Sequence, residues 1–211
     1  MKRRVVVTGM GVVHALGLGV ENFWNAIKEG KSGISLITKI DTENLEAKVA
    51  AEIKDFDPTA YIDKKEARRM DVFTQYAMAA AKMAMEMSGL NMEDEDSFRA
   101  GVIVASGIGG IQTLEEQHTV LQTKGPGRVS AFLIPSMIAN MAAGRIAIEY
   151  GMRGVNECVV TACASGNNAI GDAYRVIKYG EADIMIAGGS EASITPLSIA
   201  GFCASKALST N

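Results

Sequence analysis

The side chain best placed to do chemistry is Cys163, in the run Cys158-Val159-Val160-Thr161-Ala162-Cys163-Ala164-Ser165-Gly166. The apolar residues before it predict a short strand, and the residues after it predict a helix. Unpaired backbone N–H groups at the start of a helix stabilise a thiolate, and they can also bind an oxyanion. Cys163 is therefore a candidate nucleophile.

A structural role for Cys163 is the alternative, because free cysteines are often buried and act as small hydrophobes. The surrounding small residues favour a slender helix at the centre of the fold. These residues are Ala162, Ala164, Ser165, Gly166, Ala169, Gly171 and Ala173.

Hydrophobic patterns predict the elements that position this cysteine. Strands are predicted near 3–9, 101–106, 156–162 and 183–188, and helices at 20–29, 71–88, 111–123, 136–150 and 163–179. Strands that alternate with helices indicate an α/β fold with a mostly parallel sheet and helices on its faces. No linker or repeat divides the chain, so we expect one structural unit.

Composition predicts a soluble cytoplasmic protein. The chain has 211 residues, of which 48% are hydrophobic and 21% charged, and no apolar stretch approaches the roughly 20 residues of a membrane span. The basic and then apolar start is cut by Thr8 and Gly9, so it is too short for a secretory signal. Three cysteines without paired spacing suit a reducing compartment, and we expect Cys158 and Cys203 in the core.

A basic cluster stands out because the formal net charge of the chain is −3. Lys64, Lys65, Arg68 and Arg69 recur at i, i+1, i+4 and i+5, which places four positive charges along one side of a helical segment. The cluster suits an acidic partner, or it is an ordinary solvated face paired with its own neighbours. Nucleic acid is disfavoured because aromatic residues are not interleaved with the charges.

Two glycine motifs resemble nucleotide-binding signatures only in part. Gly9-Met10-Gly11 follows a predicted strand, but His14 stands where a dinucleotide fingerprint needs Gly or Ala. Gly30-Lys31-Ser32 follows a predicted helix and has Asn25 in place of the leading glycine of a phosphate loop. The cysteines and histidines lack zinc-like spacing, so no metal and no cofactor are expected.

The chain resembles a known family, the β-ketoacyl-acyl carrier protein synthases of the thiolase superfamily, and among them the elongating enzymes of type II fatty acid synthesis. The resemblance rests on motifs that run in order from end to end. They are Val5–Val13, Lys64–Asp71, Ser106–Gly110, Thr161–Gly166, Ala187–Ala192, Gly201-Phe202 and Lys206–Ser209.

The resemblance implies a thiolase-like fold, in which two similar α/β halves pack as five layers, αβαβα, with a mixed, mostly parallel sheet and a buried nucleophile helix. Residues 1–211 correspond to the first half, the N-terminal domain, because the family enzymes are about twice as long. Alone, this half would leave an apolar face uncovered, so we expect it to need the other half or a partner chain. The ending after Lys206 has no polar tail or terminal helix and looks like an interruption.

The resemblance also implies a reaction. An acyl group passes from a carrier thioester to Cys163, malonyl-acyl carrier protein is decarboxylated, and the resulting carbanion attacks the acyl-enzyme. The family's two catalytic histidines and a lysine would lie beyond Asn211. His14 and His118 do not match them, and both are expected to be structural or solvent-facing.

Further site residues follow from the resemblance. The acyl pocket is expected to include Gly107, Ile108, Ala162 and Phe202, with Leu133 and Ile134 contributed across the interface of a homodimer. Acyl carrier protein is expected to dock on Lys64, Lys65, Arg68 and Arg69, with Lys124, Arg128 and Lys206 as additions.

Other functional classes remain open at this stage. One is a non-catalytic or partner-dependent condensing-enzyme subunit, which the missing histidines favour and the retained Cys163 disfavours. Another is a dinucleotide-binding oxidoreductase, suggested by the glycines near residue 9. Degradative thiolases and synthases primed by coenzyme A are closer rivals within the superfamily.

Overall fold

Helices and strands alternate through residues 3–210, which the computed structural model describes. The helices are α1 (Val20–Lys28), α2 (Lys64–Ala67), α3 (Val72–Ser88), α4 (Ile111–Lys124), α5 (Leu133–Met137), α6 (Met141–Tyr150), α7 (Ser165–Tyr179) and α8 (Pro196–Ala204). The strands are β1 (Val13–His14), β2 (Gly17–Leu18), β3 (Ser35–Leu36), β4 (Val49–Ala50), β5 (Ala100–Ala105), β6 (Asn156–Glu157) and β7 (Ile184–Gly189). Short 3₁₀ turns cover Pro58–Ala60, Met92–Asp94, Ser97–Arg99, Pro126–Arg128 and Ala162–Ala164.

The central sheet has three parallel strands in the order β6-β5-β7. Every residue of β5 is buried, and its run Ala-Gly-Val-Ile-Val-Ala is the continuous apolar pattern of a strand covered on both faces. The strands β1 and β2, and separately β3 and β4, form two short antiparallel hairpins. The predicted α/β fold with a parallel sheet is confirmed.

Helices cover both faces of β5. On one face, Val102 and Val104 pack with Phe73 of α3 and Ile146 of α6 in the largest buried cluster. On the other face, Ile103 and Ala105 pack against Ala169 and Ala173 of α7. The small residues of α7 let this helix lie close to the sheet.

The predicted helix at 71–88 forms as α3. Asp71 begins it by accepting a hydrogen bond from the Phe73 N–H at 3.2 Å, and Gly89 ends it in the left-handed conformation. Met78 and Met85 are core residues, but Met87, which the pattern assigned to the apolar face, is 52% exposed. The helix is buried on several sides, so a single periodic stripe describes it poorly.

The predicted strand at 3–9 is wrong, because residues 3–12 have no regular secondary structure. Val6 and Val7 are 63% and 78% exposed, and no strand of the described residues pairs with this segment. It runs instead along α3, where a Cβ on Gly9 or Gly11 would lie 2.0 Å from the carbonyl oxygen of Ala84 or 1.8 Å from that of Ala80. Only glycine permits this close approach.

Three other predicted boundaries change. The strand predicted at 156–162 shortens to β6, because only Asn156 and Glu157 pair with β5. The helix predicted at 136–150 becomes α5 and α6, since Ile138 adopts an extended conformation between them. Helix α8 was not predicted, because its residues are apolar or small almost throughout and show no amphipathic period.

One face of α7 remains exposed. Ile170 and Tyr174 are 54% and 45% exposed, while Ser165, Ala169 and Ala173 on the other face are buried. The predicted nucleophile helix is therefore buried toward the sheet only. Among residues 3–210, no helix is long and apolar enough to cross a membrane.

The ends of the chain are described in part. Met1, Lys2 and Asn211 lie outside the described residues. The chain end predicted to be an interruption is therefore described only as far as Thr210.

Candidate active site

Three loops meet where the parallel strands end. They follow β5 at Ser106–Gly110, β6 at 158–164 and β7 at Ser190–Thr195. Ligands bind open parallel sheets at the carboxyl ends of the strands, so this edge is the candidate site.

Cys163 lies on a tight turn between β6 and α7. The turn is a single 3₁₀ segment, Ala162–Ala164, and the cysteine is exposed. Ala162 has φ +51°, a left-handed conformation that L-residues other than Asn and Asp rarely adopt. Such backbone strain persists where surrounding contacts hold it, and it is common at functional sites.

Ser165 supplies those contacts. Its buried hydroxyl accepts a hydrogen bond from the Thr161 N–H at 2.9 Å and donates one to the Ala162 carbonyl at 2.7 Å. The first helical bond of the turn runs from Ala164 N–H to the Thr161 carbonyl. The N–H groups of Ala162 and Cys163 precede that bond and donate no hydrogen bond to any described residue, as expected for donors at a helix start.

The loop after β5 lies beside this turn. A Cβ on Gly107 would lie 3.7 Å from the Cα and carbonyl oxygen of Ala162, and 2.9 Å from a carboxylate oxygen of Glu191. Ile108 follows and is 43% exposed. Gly107, Ile108 and Ala162, three of the predicted pocket residues, are therefore brought together next to Cys163.

Glu191 holds the same loop. One carboxylate oxygen accepts hydrogen bonds from the N–H groups of Gly107 at 2.8 Å and Ile108 at 3.0 Å. The other accepts a bond from the Ser106 hydroxyl at 3.2 Å, and that hydroxyl in turn accepts one from the Gly109 N–H at 3.0 Å.

Leu133 and Ile134 lie on α5, which the loop also contacts. The Gly110 N–H donates to the Met137 carbonyl at 2.9 Å, near the end of that helix. Leu133 is half-buried, whereas Ile134 is 57% exposed.

Among the described residues, no hydrogen bond or aromatic ring contact joins Phe202 to this group. It lies on α8 and is 42% exposed. The other side of α8 buries Ile199 and Cys203 against Ile37 and Ala47, in a cluster separate from those around β5.

The basic cluster forms a surface beside α5. Lys64, Lys65 and Arg68 are exposed, and within residues 3–210 none of them has a carboxylate within ion-pair distance. Arg69 differs, because it pairs with Glu66 at 3.1 Å and lies over the Phe132 ring at 4.9 Å. The predicted helical segment is shorter than expected, because α2 ends at Ala67 and Arg68 and Arg69 lie in the turn that follows. Among the described residues, three of the four cations have no ion-pair partner.

This surface is connected to α5 and α4. The Ser136 hydroxyl donates to the Arg69 carbonyl at 2.8 Å, and a cleft of about 240 Å³ is lined by Arg68, Asp71 and Leu133 among others. Asp71 accepts two further bonds, from the N–H and hydroxyl of Thr113 at 2.9 and 2.7 Å.

The three additional cations lie elsewhere. Lys124 ends α4, roughly 16 Å along its axis from Thr113 at 1.5 Å per residue. Arg128 is in the following 3₁₀ turn, and Lys206 follows α8. All three are exposed, and no hydrogen bond or ion pair among the described residues joins them to the basic cluster.

The remaining cysteines differ in burial. Cys203 is buried, as predicted, but Cys158 is only half-buried. Burial raises the pKa of the Cys158 thiol, and the nearby Glu191 carboxylate adds to the increase. Both histidines are solvent-facing as predicted: His14 packs edge-on against Phe23, and His118 lies on the exposed side of α4.

A dinucleotide site at Gly9 is not supported. A dinucleotide fingerprint needs a helix that begins directly after its glycines. Here the element that follows Gly11 is the hairpin that starts at Val13. Gly30 lies directly after α1 and not before a helix, so it is also unlike a phosphate loop. Within residues 3–210, no three His, Cys, Asp or Glu side chains gather at a site that could bind a metal.

Sequence reasoning missed the roles of three residues. Ser165 and Glu191 lie within motifs that carried the resemblance, but nothing in their spacing indicates that they hold loops distant in sequence. Asp71 is one of the neighbours expected to pair with the basic cluster if that cluster is an ordinary solvated face, whereas in the structure it caps α3 and binds α4. The only signal for Glu191 was the position of a carboxylate three residues after the strand predicted at 183–188.

The chain is similar in sequence to a known family and to curated proteins. Residues 2–211 match the family model described as "Beta-ketoacyl synthase, N-terminal domain". The proteins named 3-oxoacyl-[acyl-carrier-protein] synthase 2 from Synechocystis sp. and Vibrio harveyi are 48% and 50% identical to this chain over 99% of its length. The chain spans 50% of each of these curated relatives, about half their length.

Solved structures agree with the fold. A type II polyketide synthase acyl carrier protein in complex with its ketosynthase superposes with a TM-score of 0.85 at 36% identity, over all of this chain and 51% of that one. The ishigamide ketosynthase/chain length factor superposes with a TM-score of 0.88 at 34% identity, over all of this chain and 53% of that one.

Proposed function

Because the chain belongs to the beta-ketoacyl synthase family, whose N-terminal domain it matches, we propose that it carries the nucleophile of a condensing enzyme that lengthens an acyl chain using malonyl-acyl carrier protein. The relatives named 3-oxoacyl-[acyl-carrier-protein] synthase 2 support this reaction class. The observation that carries the proposal is the exposed Cys163 thiol on a strained turn at the carboxyl ends of the parallel strands.

In the first step the Cys163 thiolate attacks the carbonyl carbon of an acyl thioester on the carrier protein. The tetrahedral oxyanion would be stabilised by backbone N–H groups of the turn, including that of Cys163. The carbon–sulfur bond to the carrier then breaks, the carrier leaves as a thiol, and the acyl group remains on Cys163.

In the second step malonyl-acyl carrier protein loses CO₂ and becomes an enolate. Its carbon attacks the acyl carbonyl on Cys163, the cysteine leaves as a thiolate, and the product is a 3-oxoacyl carrier longer by two carbons. His14 and His118 are the only histidines of this sequence, and neither lies on the loops around Cys163. The groups that stabilise the enolate would come from the half of the relatives' length that the chain does not match.

The acyl chain would lie against Gly107, Ile108 and Ala162, which meet beside the nucleophile. Phe202 would line the pocket from α8. Leu133 and Ile134 would reach it across a homodimer interface, a role supported by the exposed apolar side chains of Phe132, Ile134 and Ile138.

The carrier protein would dock on the basic cluster. Acyl carrier proteins are acidic, and Lys64, Lys65 and Arg68 offer exposed positive charge without partners among the described residues. Lys124, Arg128 and Lys206 would extend this surface. We place the protein in the cytoplasm, which the three unpaired cysteines support.

Intact-mass spectrometry of the protein isolated from its source tests the proposal. After incubation with acyl-acyl carrier protein, we expect the protein to gain the mass of one acyl group. The gain should be lost in Cys163→Ser and retained in Cys203→Ser, a matched control for a buried thiol. A protein that gains no acyl mass, or gains it without Cys163, would contradict the proposal.

A further inference from the structure

Glu191 is the only carboxylate among the described residues that binds the loop after β5. It lies two residues beyond β7, and Ser190 fixes its backbone by donating to the Ala105 carbonyl through its N–H and to the Phe73 carbonyl through its hydroxyl. The residue is exposed on its outer side. Exposed carboxylates are normally satisfied by water, yet this one binds three groups of a single loop.

The three bonds determine the direction of the loop. The N–H groups of Gly107 and Ile108 both point at Glu191, and a Cβ on Gly107 would lie 3.7 Å from Ala162, so Glu191 holds the backbone that carries Ile108 beside the Cys163 turn. Ser106 extends the same network to Gly109, and it is 1% exposed. Bonds to a charged acceptor are stronger than neutral ones, so the loop depends on this residue more than on any single backbone contact.

The arrangement also assigns the N–H groups around the nucleophile. Those of Gly107 and Ile108 are occupied by Glu191, so they are not free to bind an oxyanion. The N–H groups at the Cys163 turn precede the first helical bond and remain available. The loop after β5, whose N–H groups bind Glu191, is thus left to shape the acyl pocket, while the N–H groups of the Cys163 turn are left to stabilise the oxyanion.

We propose that Glu191 is a positioning residue that sets the acyl-chain preference by holding Ile108 at the pocket. This inference rests on the proposed function, because it needs an acyl group on Cys163. It adds a residue that touches neither the substrate nor the reacting atoms, and it predicts a change in selectivity without a general loss of the reaction.

The test compares the rate of Cys163 acylation with short and long acyl-acyl carrier proteins, using the protein isolated from its source. In Glu191→Ala we expect the ratio of long-chain to short-chain kcat/KM to change about tenfold, the size expected when bonds to a charged group are lost. Glu191→Gln keeps an acceptor for both N–H groups and should restore the ratio to within about twofold. Glu181→Ala is the matched control, because Glu181 is exposed and its side chain makes no hydrogen bond or ion pair within residues 3–210.

The outcomes are distinguishable. If the unaltered protein forms no acyl-Cys163, the proposed function fails. If it does, and Glu191→Ala leaves the ratio unchanged or lowers both rates equally, the inference about Glu191 is wrong. If Glu191→Ala does not fold, Ser106→Ala should shift the same ratio in the same direction by a smaller factor, and an unchanged ratio there overturns the inference.

Discussion

Cys163 and Cys158 are five positions apart but differ in environment. Cys163 is exposed on its turn, while Cys158 is half-buried near Ser106 and Glu191. A thiol reacts as its thiolate. Burial raises the pKa of the Cys158 thiol, so at neutral pH a smaller fraction of Cys158 is thiolate than in a freely exposed cysteine.

We therefore expect iodoacetamide to alkylate Cys163 first at about pH 7, and Cys158 to react appreciably only at a pH above the usual range for a thiol. Peptide mass spectrometry after timed alkylation measures both rates in one sample. Cys203, which is 9% exposed, should remain unmodified until the protein is unfolded and serves as the internal control. Faster reaction at Cys158 than at Cys163 near neutral pH would contradict the assignment.

Ser165 makes the turn around Cys163 rigid through two hydrogen bonds. Ser165→Ala should slow acyl transfer to Cys163 about tenfold and lower the free energy of unfolding by about 1–2 kcal/mol. The acylation rate and a denaturant titration measure the two effects.

Ser88→Ala is the matched control, because Ser88 also accepts one N–H and donates to one carbonyl, at the end of α3. It should lose stability without a change in the acylation rate. If both variants slow acylation equally, the effect of Ser165 is on folding alone.

At the scale of elements, Asp71 connects two helices. Its carboxylate, 4% exposed, caps α3 through Phe73 and binds the first turn of α4 through Thr113. We expect Asp71→Ala to lower the free energy of unfolding by about 2–4 kcal/mol, since it leaves buried donors on both helices unpaired. Thermal or denaturant unfolding measures this loss.

Asp63→Ala provides the comparison for a cap on a single helix. Asp63 caps α2 from an exposed position, and its removal should cost about 1 kcal/mol. Equal losses in the two variants would show that the contact with α4 adds nothing to the cap.

The basic cluster should act through long-range charge. Arg68→Glu is expected to weaken binding of acyl carrier protein about tenfold at low ionic strength, with the difference shrinking in about 0.5 M salt. Calorimetry at the two salt concentrations measures the effect. Lys28→Glu, at an exposed cation on α1, should leave the affinity nearly unchanged, and an equal loss there would indicate only a dependence on net charge.

The elements that the sequence predicted well are those with a local cause. Helix α3 was predicted because an apolar period and Gly89 lie in one continuous segment. The strand predicted at 3–9 was wrong because a run of valines indicates an extended chain but does not show whether a partner strand lies beside it. Cys163 was found from its local strand–helix junction, whereas Glu191 and Ser165 act on loops brought near only by the folded chain.

At the scale of the whole molecule, one side of α7 exposes apolar side chains that the described part of the chain does not cover. Ile170 and Tyr174 expose about half of their surface next to the nucleophile turn, and apolar patches of this kind mark interfaces. We expect another part of the protein, or a partner chain, to cover this face.

Hydroxyl-radical labelling of the protein isolated from its source tests that expectation. Each labelling rate is normalised to the rate of the same residue in the unfolded chain. Tyr174 should be protected, whereas Phe98, which is 66% exposed on a 3₁₀ turn at the other end of the sheet, should be labelled freely. Similar normalised rates for both residues would mean that α7 is open to solvent.

The order of strands also has a consequence for how the chain is made. Ala100 of β5 pairs with Ile184 of β7, while β6 contributes only two residues on the other side. A nascent chain emerging from the ribosome therefore displays an entirely apolar strand long before its main partner has been synthesised. Distant pairing of this kind slows folding and leaves strand edges open to aggregation, so molecular chaperones that shield β5 during translation should raise the yield of folded protein.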